Sequence, residues 1–205
     1  MAKESSLKNM LLSLAVVTFL SSLLLGSAYS LTKERIEEAM AQKINGAIAQ
    51  VSPPFDNLPS EELFIEEFEG KNYKIFPAKM GGELVGYAIE SSSTGFGGVL
   101  TLMVGFNLDG VIVGVTTLSH SETPGLGDKI EAGKSNFKVQ FEGKSPKEFK
   151  LSVKRDGGDV DAITASTITS KAFCGAIDRA WGVYTLCQEK NNPQENLDEE
   201  VEISN

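Results

Sequence analysis

The sequence predicts an α+β fold, with a mostly antiparallel sheet and packed helices, tethered by one N-terminal transmembrane helix. Three observations predict it: an uncharged apolar run near the N-terminus, short β-type runs over residues 73–155, and an apolar stripe at helical spacing after residue 170. The 205 residues are enough to bury one good-sized core. Because no repeat or low-complexity linker divides the chain, we expect one domain beyond the membrane segment.

The apolar run occupies residues 10–29 and has the roughly 20 uncharged residues that an α-helix needs to cross a bilayer. A cleaved signal peptide is the alternative, because Gly26, Ser27 and Ala28 offer small residues to a peptidase. The run is longer than the roughly 7 to 15 apolar residues of a signal peptide, which favours a retained span. We expect residues 1–9 to stay in the cytoplasm, although basic residues flank the span almost evenly.

Residues 30–187 are expected to form the domain, which begins with an amphipathic helix. Its apolar residues recur at helical spacing at Ile36, Met40, Ile44, Ile48 and Val51. Pro53 and Pro54 end this helix, since the residue before a proline is disfavoured in the α region. The acidic stretch 56–70 carries interleaved apolar residues and is compatible with either a strand or a short helix.

Short β-type runs separated by turn residues follow the acidic stretch. They lie at 73–79, 83–90, 99–106, 111–118, 138–141 and 149–154. Residues 107–110, Asn-Leu-Asp-Gly, indicate a hairpin turn, so consecutive strands should pair antiparallel. Residues 128–136 are expected to add a short helical turn.

The last predicted element is a helix with Thr169 or Ser170 as its N-cap. Its apolar residues Phe173, Ile177, Ala180, Tyr184 and Cys187 repeat at spacings of four and three, so this face should pack on the sheet. The second cysteine, Cys174, lies roughly 20 Å from Cys187 along such a helix. A disulfide requires Cα atoms within about 7 Å, so we expect two free thiols on helix faces.

The net charge of −9 is concentrated in residues 188–205, where six acidic residues outnumber one Lys. This segment is predicted to be an acidic, disordered tail. The chain has no basic stripe, which argues against a nucleic-acid partner. One His and no paired Cys motif leave no ligand set for a zinc ion or an iron–sulfur cluster, so no metal site is predicted.

Residues 161–170, DAITASTITS, place five hydroxyl side chains between a turn at Gly157 and Gly158 and the start of a helix. Hydroxyls, backbone N–H groups and the positive end of a helix dipole together favour binding of a phosphate group. Lys171 follows one turn in, either as a counter-charge to phosphate or as a solvated first-turn residue. The alternative for the whole segment is an ordinary helix cap, since Ser and Thr are common there.

This segment resembles the flavinylation motif of the FMN-binding domain family, which reads Asp, two variable residues, Ser or Thr, Gly or Ala, a small residue, then Thr. The resemblance implies that Thr167 is esterified to the phosphate of FMN by a flavin transferase, with FAD as donor. It also implies that the transferase recognises Asp161. Ala165 and Ser166 stand where the motif often has Gly-Ala.

Two further patches resemble the same family. Residues 120–127, HSETPGLG, are similar to a loop of the family that reads Glu-Thr-Pro-Gly-Leu-Gly, and residues 95–98 read Gly-Phe-Gly-Gly before a strand. The resemblance implies phosphate contacts from Thr164, Ala165, Ser166, Thr169 and Ser170, and isoalloxazine contacts from Glu122, Thr123, Gly125, Leu126 and Gly127. For Glu122 the alternative is a helix-capping or surface acid. His120 is either structural or a proton carrier.

Within this family the chain resembles the G subunits of Rnf electron-transport complexes. The resemblance implies a membrane-anchored electron-transfer subunit with covalent FMN, whose complex couples electron transfer between ferredoxin and NAD to ion translocation. It implies a domain on the periplasmic side of the inner membrane, with other Rnf subunits, a flavin transferase and the lipid bilayer as partners. No nucleophile–base pair is evident, so no catalytic residue is assigned. Two alternatives remain: the C subunit of a sodium-pumping NADH:quinone reductase, and a tethered assembly module without a flavin.

Overall fold

The first helix, α1, spans Leu7–Val51. In the computed structural model residues 7–191 are described, and they form two compact units with a boundary after Gln42. In the first unit the apolar side chains are exposed, and the helix is long and apolar enough to cross a membrane. The predicted span and the predicted amphipathic helix are therefore parts of one helix.

The second unit contains a five-stranded antiparallel sheet whose strands neighbour one another in chain order. The strands are β1 (Phe64–Phe68), β2 (Lys71–Met80), β3 (Glu83–Thr94), β4 (Val99–Asn107) and β5 (Ile112–Ser119). The four predicted strands between residues 73 and 118 are confirmed, and the undecided acidic stretch contributes β1. The hairpin between β4 and β5 is confirmed as well, because the Gly110 N–H donates to the Asn107 carbonyl at 3.1 Å.

One face of the sheet carries the main core, because successive side chains of a strand point to opposite faces and those on this face are apolar. Ile75, Ile89, Val104 and Val115 are paired in register across four strands and are buried. They form one cluster with the second long helix, α2 (Thr167–Asn191). The predicted apolar stripe of α2 is confirmed, since all five of its residues are buried in this cluster.

Two aromatic and two cysteine side chains of α2 complete this core. Trp181, the single tryptophan, stacks on Tyr184 with ring centroids 5.2 Å apart. Cys174 and Cys187 are buried free thiols. Burial raises the pKa of Cys174 to about 12 and that of Cys187 to about 11, so both remain protonated at neutral pH.

The opposite face of the sheet packs against residues 43–51 of α1, which belong to the second unit. Here two groups of side chains form a smaller buried cluster: Ala47, Ile48 and Val51 from the helix, and Phe76, Ala88 and Met103 from the strands. The helix end lies close to the strands, since a Cβ at Gly105 would fall 1.9 Å from the Val51 carbonyl oxygen. A residue larger than glycine would push the helix off the sheet.

Two predicted strands, 138–141 and 149–154, are wrong. The first is a 3₁₀ helix, Phe137–Phe141, in which both Phe residues are buried and Val139 between them is exposed. The second stretch forms no strand, because residues 150–154 bond instead to the backbone of residues 158–160 just after them, around a single parallel bridge. The helical turn predicted within 128–136 is confirmed at its start by a 3₁₀ helix, Gly127–Ile130.

The predicted N-cap of α2 is also wrong, because the helix begins at Thr167, ahead of Thr169 and Ser170. The first-turn hydrogen bond runs from the Ser170 N–H to the Ser166 carbonyl at 3.0 Å, which places the cap at Ser166. At its other end α2 extends to Asn191, into the predicted acidic tail. The rest of that tail, residues 192–205, lies outside the described residues.

Candidate functional site

Three segments far apart in the sequence meet around one cavity of about 380 Å³. They are the loop between β3 and β4, the loop after β5, and the start of α2. The cavity is lined by Phe96, Glu122, Thr123, Leu126, Gly127, Ala165, Ser166, Thr167, Ile168 and Thr169. Each segment carries one of the three sequence motifs, so the fold brings the motifs together.

The start of α2 is shaped by a tight turn. The Ser166 N–H donates to the Ile163 carbonyl at 2.9 Å, and Ala165 within this turn has a φ of +63°. This left-handed conformation is unfavourable for a residue with a Cβ, which accounts for the Gly often found at this place in the motif. The turn directs the chain into α2 at Thr167.

Ser170 holds this turn from inside the protein. Its hydroxyl accepts the Ile163 N–H at 3.0 Å and donates to the Ser166 carbonyl at 3.0 Å. The side chain is fully buried and does not line the cavity. The structure thus gives Ser170 a positioning role in the loop.

Thr167 is half-buried in the cavity wall, at the first residue of α2. The N–H groups of a first helical turn have no partner within the helix, and they carry the positive end of the helix dipole. This is a suitable place for an anion beside a hydroxyl. Lys171, one turn further, forms an ion pair with Asp156 at 2.7 Å, so its charge is already partnered.

Glu122 joins the three segments around the cavity. One carboxylate oxygen accepts the Thr169 hydroxyl at 2.8 Å, and the other accepts the Gly97 N–H at 3.3 Å. A Cβ at Gly127 would lie 2.6 Å from the first oxygen, so glycine is required where this loop approaches the carboxylate. The sequence resemblance associates Gly127 with the flavin ring, whereas the structure shows that Gly127 makes room for Glu122 and Thr169.

His120 belongs to a polar chain that leads away from the cavity. Its Nδ1 accepts the Glu122 backbone N–H at 3.1 Å, which leaves the proton on Nε2, 2.7 Å from Glu131. Glu131 also pairs with Lys134, whose ammonium group bonds to Asp128 at 3.0 Å. Hydrogen bonds from Lys134 hold the pKa of both carboxyls below their ordinary range. These contacts support the structural alternative for His120.

Three further residues singled out in the sequence do not line this cavity: Thr164 and Gly125, predicted to contact the cofactor, and Asp161, predicted to be recognised by the transferase. Thr164 and Asp161 line a neighbouring cavity of about 450 Å³, and Gly125 is exposed, with a φ of +78° and no atom within 4 Å of a Cβ built there. The Asp161 carboxylate is exposed beside Lys154 at 2.7 Å, while its backbone N–H and carbonyl both bond to the Gln140 side chain. The loop thus presents Asp161 to solvent in a fixed conformation.

Two cavity residues were not predicted from the sequence, Phe96 and Ile168. Their side chains are 71% and 55% exposed, and both line the cavity. The sequence does contain a signal that could have identified them, namely a large apolar residue inside a polar or glycine-rich motif. Phe96 lies among glycines, and Ile168 lies among hydroxyl residues. Together with Leu126 they give the cavity an apolar rim beside its hydroxyl groups.

The comparisons with known proteins cover the same three segments. Residues 95–182 match the FMN-binding domain family. The solved structure of the C subunit of Na(+)-translocating NADH-quinone reductase from Parabacteroides distasonis is similar at 24% identity and a TM-score of 0.49, over 69% of this chain and 90% of that one.

Relatives named as G subunits of the ion-translocating oxidoreductase complex match over most of their length. The protein from Stutzerimonas stutzeri is 36% identical over 82% of this chain and 77% of its own. Those from Cereibacter sphaeroides and Shewanella piezotolerans are 34% and 35% identical, over 86% and 87% of this chain and 83% and 89% of their own. The chain therefore belongs to the family of G subunits of ion-translocating oxidoreductase complexes.

Proposed function

We propose that this chain is a membrane-anchored electron-transfer subunit that carries FMN through a phosphoester to Thr167, within an Rnf-type complex. The family and its FMN-binding domain support the cofactor and the complex. The observation that carries the attachment is the position of Thr167, a hydroxyl at the first residue of α2 that opens on a cavity with an apolar rim. A translocase of this type would couple electron transfer between ferredoxin and NAD to ion movement.

The residues around the cavity fit FMN at both of its ends. The phosphate would lie against Thr167, the Ser166 hydroxyl and the N–H groups of the first turn of α2. Phe96, Leu126 and Ile168 offer apolar surface to a planar ring system. The flavin supplies the ability to accept and release one or two electrons when it is bound. The protein's part is to hold this cofactor, exclude water from it and fix the charges around it.

A covalent attachment suits an electron carrier better than a reversible one. An ester to Thr167 keeps the cofactor in the domain through every oxidation cycle, whereas a dissociable flavin would be lost to the surrounding volume. The attachment requires a flavin transferase, and the exposed carboxylate of Asp161 beside the acceptor loop is available for its recognition. The domain would face the periplasm, with α1 retained in the inner membrane as an uncleaved anchor.

The acceptor assignment is tested by Thr167→Ala in the full chain, co-expressed with a flavin transferase. We expect the wild-type protein to gain the mass of one FMN less one water and to fluoresce in a denaturing gel, and the variant to do neither. The fold should persist, because Thr167 is only half-buried and the cap of α2 is Ser166, which the substitution leaves in place. The same intact mass shows whether the N-terminal span is retained.

Thr164→Ala is the matched control, because Thr164 is in the same motif but lines the neighbouring cavity. This variant should still take up the flavin. Loading that persists in Thr167→Ala and disappears in Thr164→Ala would move the acceptor upstream. A wild-type protein without any flavin under these conditions would favour the tethered assembly module instead.

A further inference from the structure

The geometry points to Glu122 as the residue whose negative charge sets the reduction potential of the flavin, a role that rests on the proposed function. Glu122 is 6% exposed and lines the cavity that contains Thr167. Both of its oxygens act as acceptors, which is the pattern of an ionised carboxylate. The charge therefore lies in the cavity wall and not on the surface.

This charge has no cationic partner among the described residues. The donors to its oxygens are the neutral Thr169 hydroxyl and the neutral Gly97 N–H. None of the ion pairs within residues 7–191 includes Glu122. The neighbouring imidazole of His120 accepts from the Glu122 backbone and directs its Nε2 to Glu131. The negative charge is consequently not neutralised locally.

The chain around Glu122 is built to accept this side chain despite its charge. A Cβ at Gly95 would lie 2.0 Å from one carboxylate oxygen, and a Cβ at Gly127 would lie 2.6 Å from the other. If the side chain only linked three segments, a glutamine of the same shape would do so, and burying a neutral amide costs less than burying a charge. We therefore assign a functional role to the negative charge of Glu122, in addition to the hydrogen bonds of its side chain.

That role follows from electrostatics. Electrons added to a cofactor in this cavity approach the negative charge of a buried side chain, and Coulomb interactions with a buried charge are stronger than in water. The oxidised form is favoured as a result, and the reduction potential falls. Glu122 would hold the flavin as a stronger electron donor than the same cavity lined by a neutral residue.

The test is Glu122→Gln in the full chain loaded with FMN, with the midpoint potential measured by equilibrium redox titration. The Gln oxygen can still accept the Gly97 N–H, and its amide can donate to the Thr169 hydroxyl, so the shape is kept while the charge is lost. We expect the ratio of reduced to oxidised protein at a fixed potential to rise at least tenfold, about 30 mV for a two-electron couple. Glu131→Gln is the control, because it removes a charge from the same polar chain outside the cavity and should shift the ratio much less.

A second measurement, in the flavin-free Thr167→Val background, separates charge from architecture. Hydrogen exchange of residues 95–98 should be unchanged by Glu122→Gln and accelerated by Glu122→Ala, which removes the acceptor for Gly97. An unchanged potential in the loaded Gln variant would overturn the inference, as would failure of that variant to load while the wild-type protein loads. Absence of flavin from the wild-type protein would contradict the proposed function itself.

Discussion

At Ala165 the chain adopts a conformation that its residue type disfavours. A φ of +63° brings the Cβ of an L-residue too close to the following carbonyl oxygen, at a cost of about 1–2 kcal/mol. The turn is nevertheless held, because Ser170 bonds to both of its ends. The strain lies two residues before Thr167, at a site whose geometry is set by its surroundings.

Ala165→Gly should therefore stabilise the domain. Glycine removes the Cβ penalty but gains freedom in the unfolded chain, so the net gain in unfolding free energy should be about 0.5–1 kcal/mol. Chemical denaturation of the flavin-free protein measures it. The matched change Ala162→Gly, at an exposed residue with ordinary φ, should be neutral or destabilising. Equal effects at both positions would show that the turn stores no strain.

The sequence alone could not tell which hydroxyl residues of the motif at 161–170 line the cavity. The motif groups hydroxyl residues by type, but the side on which each one lies depends on the turn at Ala165. Thr167 and Thr169 line the cavity, Thr164 lines its neighbour, and Ser170 is bonded inside. The position of the turn, and therefore of the helix start, determines which side each of these hydroxyl groups faces.

At the scale of elements, the regular strands were predictable and the segment after them was not. The strands between residues 73 and 118 are long runs rich in apolar residues and bounded by turn residues, so local sequence and tertiary packing agree. Phe137, Val139 and Phe141 have the two-residue spacing of a strand, yet the two Phe side chains pack against Phe173 of α2 and leave Val139 exposed. So short a run fits the two-residue period of a strand and the period of a helix equally well. Contact with the distant helix α2 decides between the two structures.

The loop after β5 is held by charges whose contribution depends on pH. Lys134 lowers the pKa of Asp128 and Glu131, and these carboxylates raise the pKa of Lys134. The carboxylates contribute stability that is complete above their ordinary pKa of about 4 and is lost as the pH falls through the lower folded-state values. Lys134 contributes stability that is complete below its ordinary pKa of about 10.4. This stability is lost as the pH rises through the raised pKa of Lys134 in the folded protein.

Lys134→Met should accordingly lower the melting temperature at neutral pH, and the effect should shrink as the pH falls through the lowered pKa values of Asp128 and Glu131 and both carboxylates become protonated. Thermal unfolding of both proteins across this range measures the difference. Lys147→Met, at an exposed lysine without an assigned ion pair among the described residues, is the control. A pH-independent difference would mean that Lys134 acts through packing alone.

At the scale of the molecule, the second unit begins within α1, ahead of the proline pair. Ile48 and Val51 are 1% exposed, and they cover Phe76, Ala88 and Met103 on the second face of the sheet. Burial of one such side chain contributes about 1.5–3 kcal/mol. The end of α1 is thus part of the core of the second unit.

A chain that starts at residue 43 should be roughly 3–6 kcal/mol more stable than one that starts at residue 53, because it keeps both buried side chains. Urea denaturation of the two flavin-free domains gives the comparison. The shorter chain should also expose the apolar cluster on the sheet and bind a hydrophobic dye. Coincident unfolding transitions would show that the helix end contributes nothing to this core.

The stacking of Trp181 on Tyr184 gives the molecule a built-in optical reporter. As the single tryptophan, Trp181 is the source of almost all the long-wavelength protein fluorescence, and it lies about 21 Å along α2 from Thr167. Oxidised flavin absorbs where indole emits, so a cofactor on Thr167 would quench this emission by resonance energy transfer. The same rigid helix that carries the acceptor would thus make cofactor attachment visible in real time, without any label.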